Sequence, residues 1–135
     1  ADIPAGIILS RDADAWIRED RVEDVALPLY EGRMIGQFDF SQKGWVSGKG
    51  RSAVWRSIPW NQKQILPQYL MAQSDYLRSS PCPSLPKLSH MRVGSATNER
   101  SAVASVALGV PTGDTAAIFW MPSWQFACAL AGLFN

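Results

Sequence analysis

Leu27-Pro28-Leu29-Tyr30-Glu31-Gly32-Arg33-Met34-Ile35-Gly36-Gln37-Phe38-Asp39-Phe40-Ser41-Gln42-Lys43-Gly44-Trp45 is the stretch on which the reading of this chain turns. It is apolar up to Tyr30. Glu31-Gly32 then reads as a turn or bulge, because glycine accepts backbone conformations that other residues avoid. From Arg33 to Phe40 the side chains alternate. Met34, Phe38 and Phe40 fall on one side with Gly36 between them, and Arg33, Ile35, Gln37 and Asp39 fall on the other. Period two predicts a half-buried strand over 33–40. Its polar face is either an ordinary solvated surface or a recognition face, since Arg and Gln pair bidentately with base edges.

Working outward, three segments carry a resemblance. Leu-Tyr-Glu-Gly-Arg-Met-Ile-Gly-Gln-Phe-Asp (29–39) and Arg-Val-Gly-Ser-Ala-Thr-Asn-Glu-Arg-Ser-Ala-Val-Ala-Ser-Val (92–106) resemble motifs of adenine-specific DNA methyltransferases. That family includes type II and fused restriction–modification enzymes and phage-defence methylases. Leu-Pro-Gln-Tyr-Leu (66–70) is a weaker third match. The three occur in the family's order and span about Leu27 to Asn135. The resemblance is to the target-recognition region that follows the catalytic domain. Family members often carry His-Gln-Phe-Asp-His-Arg, where this chain has Gly36 and Phe40-Ser41-Gln42, so no role of that His or Arg carries over. The resemblance implies a bacterial, cytoplasmic parent enzyme that transfers a methyl group from S-adenosylmethionine to an adenine in double-stranded DNA. It also implies a second partner, the parent's own catalytic domain.

Composition sets wider bounds. A chain of 135 residues is one domain by length, and 47% hydrophobic content with six Trp predicts a packed body rather than disorder. The net charge of +1 implies no partner. Its distribution is uneven. Residues 1–32 set three arginines against eight acids, a net −5, and residues 33–100 set ten Lys or Arg against Asp39, Asp75 and Glu99, a net +7. Such a basic centre fits a polyanion-binding surface or, equally, a mixed surface once the chain is folded. Cys82 and Cys128 are too few and too far apart for a metal knuckle or a disulfide framework. Cys128 lies in an apolar run and is expected to be a buried small hydrophobe. The start at Ala-Asp-Ile-Pro, without Met or a basic leader, and the stop inside an apolar segment read as a piece cut from a longer protein.

Ile3 to Leu9 is a candidate strand, and Asp12 to Asp20 a candidate helix with Trp16 and Ile17 on its buried side. Gly44 to Ser52 brushes against the phosphate-cradling loop but fails it, since Gly50 stands where Ser or Thr is needed after Lys49. A flexible loop with Lys49 and Arg51 still suits a grip on a DNA phosphate, and the alternative is a mobile hairpin tip. Trp55 and Trp60, interleaved with Arg56 and Lys63, suit either core packing or base stacking. Leu66 to Met71 reads as a strand and Ser79 to Pro86 as a Pro-punctuated loop. Lys87 to Ala96 reads as a second alternating strand, with the lone His90 structural. Thr97-Asn98-Glu99-Arg100 reads as a turn before a strand over 101–108. The apolar run from Ala116 to Phe134 is long enough to suggest a membrane span, but Pro122, Ser123 and Gln125 break it into a strand and then a helix that runs to the end without a cap.

The chemistry of catalysis is missing from the sequence. It has no Pro-Pro dipeptide for an amino-methyltransferase tetrapeptide, no Gly-x-Gly loop that reads as following a strand and offering a cofactor site, and no metal-nuclease carboxylate set. No catalytic, cofactor-binding or metal residue is therefore assigned, and S-adenosylmethionine belongs to the parent. The expectation is an α+β domain with a mostly antiparallel, twisted sheet and a few packed helices. Arg33 and Gln37 are the candidates for base-edge contact. Lys43, Lys49, Arg51, Arg56 and Lys63 are the candidates for phosphate contact. Asn98 and Arg100 either face DNA or hold their turn. The alternative is an interaction module that docks onto the catalytic domain through its apolar and aromatic surface, and a third possibility is single-strand binding by exposed Trp.

Overall fold

The computed structural model describes residues 7–9, 16–92, 94, 102–107 and 109–135. Its strands are β1 (Ile7–Leu9), β2 (Trp16–Arg18), β3 (Ala26–Pro28), β4 (Lys43–Ser47), β5 (Val54–Ser57), β6 (Leu70–Ala72), β7 (Lys87–Met91), β8 (Ala104–Ala107) and β9 (Ala116–Trp120). Its α-helices are α1 (Gln73–Ser79) and α2 (Trp124–Phe134). The fold is α+β, and every pairing between these strands is antiparallel. The strands form two-stranded ribbons β1–β2, β3–β6 and β4–β5, and a three-stranded sheet in the order β8-β7-β9.

The three-stranded sheet organises the core. Its middle strand, β7, is covered on both faces, which is why Lys87, Leu88 and Ser89 are all buried in succession. The register puts Leu88 beside Val106 and Phe119, and His90 beside Ala104 and Ala117. This face packs on α2, where Leu88, Ala104, Met121, Ala127 and Ala131 form one buried cluster. His90 packs against Phe119 and Phe134, with the three ring centroids 5.8, 5.9 and 6.0 Å apart. The opposite face carries Ala107 and Ala116 against Tyr30, Met34 and Ile35, a second buried cluster. The larger of these side chains, Met34, Ile35, Leu88 and Met121, each contribute about 1.5–3 kcal/mol by their burial.

The stretch from Leu27 to Trp45 is central, but for a reason other than the predicted strand. Over 33–40 there is no strand: Gly32–Met34 is a 3-10 turn, and Gly36 and Asp39 close a tight turn on each other through two backbone hydrogen bonds of 2.8 and 3.1 Å. Ile35 and Asp39, expected on the polar face, are buried, whereas Phe38 is 55% and Phe40 37% exposed. Period two fails because the chain doubles back here, and Phe38 takes a left-handed φ of 55° to allow it. The fully buried Tyr30 donates from its hydroxyl to the Phe40 carbonyl at 2.8 Å, tying the two ends of the segment together. Gly32 lets its backbone press against β9: a Cβ there would lie 2.3 Å from the Thr115 carbonyl oxygen.

Other expectations shift in register. Of the stretch read as a flexible loop or hairpin tip over Gly44 to Ser52, the first four residues belong to β4 and the rest form the tip of the β4–β5 ribbon, which has a bulge between Trp45 and Ser47. Its tip turns on Gly48 at φ 76°. Of the helix expected over Asp12 to Asp20, residues 12–15 lie outside the described residues, while Trp16–Arg18 is a strand and Glu19–Arg21 a 3-10 turn. The strand expected from Leu66 begins at Leu70 and runs into α1. The strand β8, the strand β9 and the helix after Ser123 lie where the sequence put them, and the Ser123 hydroxyl accepts from the Phe126 amide as an N-cap. Two further expectations are corrected. Cys128 is exposed, because it lies on a flank of α2 beside an open groove lined by Phe38, Phe40 and Val106. The end of α2 is capped: the Asn135 amide donates to Ala131, and its buried side chain pairs with both backbone groups of Ala104 at 2.9 and 2.8 Å. Among the described residues, no helix is long and apolar enough to cross a membrane.

Candidate nucleic-acid interface

The ribbon β4–β5 is an acid-free arm. The sequence has no Asp or Glu between Asp39 and Asp75, and the ribbon falls wholly inside that gap. Trp45 and Trp55 face each other across the ribbon, and Lys43 pairs with Ser57 on the same face. Cross-strand aromatic pairs stiffen an isolated ribbon that lacks other strands. The Trp45 indole N–H donates to the Gly48 carbonyl at 3.0 Å, which steadies the tip. Arg33 reaches the same face from its 3-10 turn, with its guanidinium 5.9 Å from the Trp55 ring centroid. Arg56 pairs with Gly44 and so points to the opposite face. Lys43, Lys49, Arg51 and Arg56 are all exposed, and none of them forms an ion pair among the described residues.

Of the other residues singled out from sequence, Gln37 is exposed but committed: its side-chain amide donates to the Asn135 carbonyl at 3.0 Å. Arg33 and Gln37 therefore do not share a strand face. Lys63 is drawn inward. Its ammonium lies 2.5 Å from an Asp39 carboxylate oxygen and 2.9 Å from the Ser41 carbonyl, and both side chains of the ion pair are close to nine-tenths buried. The ammonium also sits 4.6 Å from the Trp60 ring centroid. Lys63 thus neutralises the buried Asp39 and leaves the net positive charge to the ribbon. Asn98 and Arg100 lie outside the described residues. The Trp residues divide: Trp55 packs against the Tyr30 cluster, and Trp60 is 71% exposed.

Glu31 adds one acid beside Arg33. Burial raises its carboxyl above the ordinary range, the nearby Arg33 pulls it back, and one of its oxygens is buried without a hydrogen-bond partner. Burial, with Asp39 nearby, pushes the Tyr30 phenol far above its ordinary value, so Tyr30 stays a neutral donor.

A second polar centre was not singled out from sequence. Lys87, at the start of β7, is only 1% exposed. Its ammonium donates to the Tyr76 hydroxyl and to the Val110 carbonyl, both at 2.6 Å. It also faces the Tyr76 and Trp120 rings at 4.6 and 4.5 Å. Burial lowers its pKa to about 8. The available signal in sequence was slight: a lysine opening an alternating strand, with no acid between Asp75 and Glu99 to meet it.

Comparison with known proteins gives no family model, no curated protein and no solved structure that matches this chain.

Proposed function

We propose that this domain binds double-stranded DNA, as the target-recognition region of a larger adenine-specific DNA methyltransferase of the reducing cytoplasm. The observation that carries the reading is the β4–β5 ribbon, which presents Lys43, Lys49, Arg51 and Arg56 to solvent with no acid in its own sequence. Cations on a two-stranded arm grip phosphates, which gives affinity without sequence preference. A two-stranded ribbon is also slim enough to enter the major groove. Arg33, on the Trp55 face of the ribbon, is the base-edge candidate. Gln37 is the second, and it must release the Asn135 carbonyl to act. The resemblance of 29–39 and 92–106 to methyltransferase motifs supports the same reading. Methyl transfer and S-adenosylmethionine belong to the parent's catalytic domain.

The test is a fluorescence-anisotropy titration of a labelled duplex at several ionic strengths. Binding is expected with Kd on the order of 10⁻⁴ to 10⁻⁶ M and a steep loss of affinity as salt rises. A flat titration at low ionic strength overturns the proposal. A labelled single strand run alongside separates duplex binding from stacking on the exposed Trp60, which would favour the single strand.

One observation favours docking as a second reading. Helix α2 contains no charged residue and exposes Trp124, Phe126 and Leu133, the last at 83%. A helix that is apolar on its outer side as well as its inner one suits a covered surface. Tyr30, by contrast, is fully buried and offers no docking patch. On this reading Phe126→Ser and Leu133→Ser together loosen contact with the catalytic domain and leave duplex binding by the isolated domain unchanged.

A further inference from the structure

A cavity of about 200 Å³ opens between α1, β7 and β9, on the sheet face opposite α2. Met71, Pro81, Pro111, Ile118 and Trp120 give it largely apolar walls. Lys87 supplies its one positive charge. Two of the ammonium's three protons go to Tyr76 and Val110, and among the described residues no carboxylate pairs with it. Two hydroxyls on the wall are buried: Thr112 Oγ1 has no hydrogen-bond partner, and Ser80 Oγ has only the Tyr76 hydroxyl beside it.

The lone cation and the unmet hydroxyl are each costly alone. A buried cation without a counter-charge is normally neutralised by a partner, and an unmet buried hydroxyl forfeits the hydrogen bonds it had in water. Both line the same cavity, and one ligand would satisfy them together. We infer that the cavity binds a small organic monocarboxylate. The carboxylate would take the third Lys87 proton and the Thr112 hydroxyl, and its short planar or apolar body would lie on Trp120 and Ile118. A monoanion matches the single cation, whereas a phosphate dianion would bring a second charge with nothing to meet it. The cavity is smaller than the ~300–1,000 Å³ of sites for drug-sized ligands, so the ligand is fragment-sized. The lowered affinity of Lys87 for its proton accords with an ammonium waiting for an anion. The site is separate from the ribbon and does not depend on DNA binding.

Benzoate is the probe, titrated against the whole domain and followed by NMR. Saturable shifts are expected at the Trp120 indole and the Ile118 methyls, with nuclear Overhauser contacts from the benzoate ring to both. Inorganic phosphate should not displace it. Lys87→Met should weaken binding about tenfold or more, the loss expected for one hydrogen bond to a charged group. Thr112→Val tests the same point with less risk to folding and should weaken binding several-fold. The inference is overturned by the absence of saturable shifts, by benzoate binding without contacts to Trp120, by displacement with phosphate, or by a folded Lys87→Met domain that binds as well as the unaltered one.

Discussion

The Lys63 ammonium lies 2.5 Å from the Asp39 carboxylate, and the two side chains are only 9% and 12% exposed. Asp39 Oδ1 also accepts the Ser41 amide at 3.0 Å, so the pair locks the turn that follows Gly36. Removing one member strands the other charge in the interior. Asp39→Ala should cost about 3–5 kcal/mol in denaturant unfolding. The double variant Asp39→Asn, Lys63→Met should recover part of that loss. Near-neutral values for Asp39→Ala would mean that the pair is solvated in solution.

The ribbon cations should behave differently. Lys49→Ala and Arg51→Ala should leave the unfolding midpoint unchanged, weaken all duplexes alike, and each flatten the salt slope by about one unit. Arg33→Ala in the parent enzyme should cost roughly 1–3 kcal/mol and relax discrimination at one base position. A uniform loss over all sequences would make Arg33 another phosphate contact.

Gly32→Ala should be among the most damaging single changes. Its Cβ would meet a backbone carbonyl of the Thr115 peptide at 2.3 Å, and backbone cannot rotate away. Overpacking of this kind costs about 1–3 kcal/mol or more. The Gly32 amide also donates to the Thr115 hydroxyl at 2.9 Å, a bond that the displaced chain would lose. Thermal unfolding compared with Gly132→Ala, a helical glycine whose Cβ would meet nothing within 4 Å, separates the clash from the effect of a side chain at a glycine that has room for one.

Lys87 gives the domain a signature in alkali. Its ordinary pKa of 10.5 falls to about 8 in the fold. Below about 8 both states hold the proton and stability does not change with pH on its account. Between about 8 and 10.5 the unfolded chain holds more proton than the folded one, so this group makes the fold more stable as pH rises. The groups facing it are the Tyr76 phenol from α1, the Val110 carbonyl and the Trp120 ring from β9, none of them charged at neutral pH. Denaturant unfolding of the unaltered domain minus that of Lys87→Met should show this rise across the alkaline range. A flat difference would show that the lysine keeps its ordinary value.

Asn135→Ala should remove three hydrogen bonds at once, two to Ala104 and one to Ala131. The Ala104 and Ala131 carbonyls keep the Phe38 and residue-135 amides, so the buried Ala104 amide is the group left unmet, at a cost of about 1–3 kcal/mol, and it should exchange its hydrogen far faster. Unchanged exchange at Ala104 would show that water replaces the side chain without loss.

The legible part of this sequence was its second half. The strand read over 101–108, found at Ala104–Ala107, the strand at Ala116–Trp120 and the helix after Ser123 are legible because a local pattern, alternation or a cap before an apolar run, agrees with the tertiary environment. The stretch from Arg33 to Phe40 misled because its alternation is accidental. Met34 and Ile35 are both buried in sequence, and Phe38 is turned out by a backbone conformation that no composition rule assigns to phenylalanine. The exposed cations Lys43, Lys49, Arg51 and Arg56 were found by their distance from any acid, a property of sequence. Lys63 resembled them until Asp39 was brought beside it from 24 residues away. Lys87 was passed over for the same reason in reverse. Its burial comes from α1 and β9 closing over one end of β7, and neither contact has a sequence signal at Lys87 itself.

Among the described residues, strand β8 has β7 on one side only, and an edge of this kind is one that recruits a strand from a second chain. The Asn135 carboxamide occupies that edge like a single residue of a missing strand, donating to and accepting from Ala104 in the manner of a backbone amide. The Phe38 amide adds a donor to the same carbonyl at 3.1 Å. The turn at Phe38 and the end of α2 thus act together as a stopper against edge-to-edge aggregation, and a chain that lost Asn135 would be prone to self-association through β8 before it was prone to unfolding.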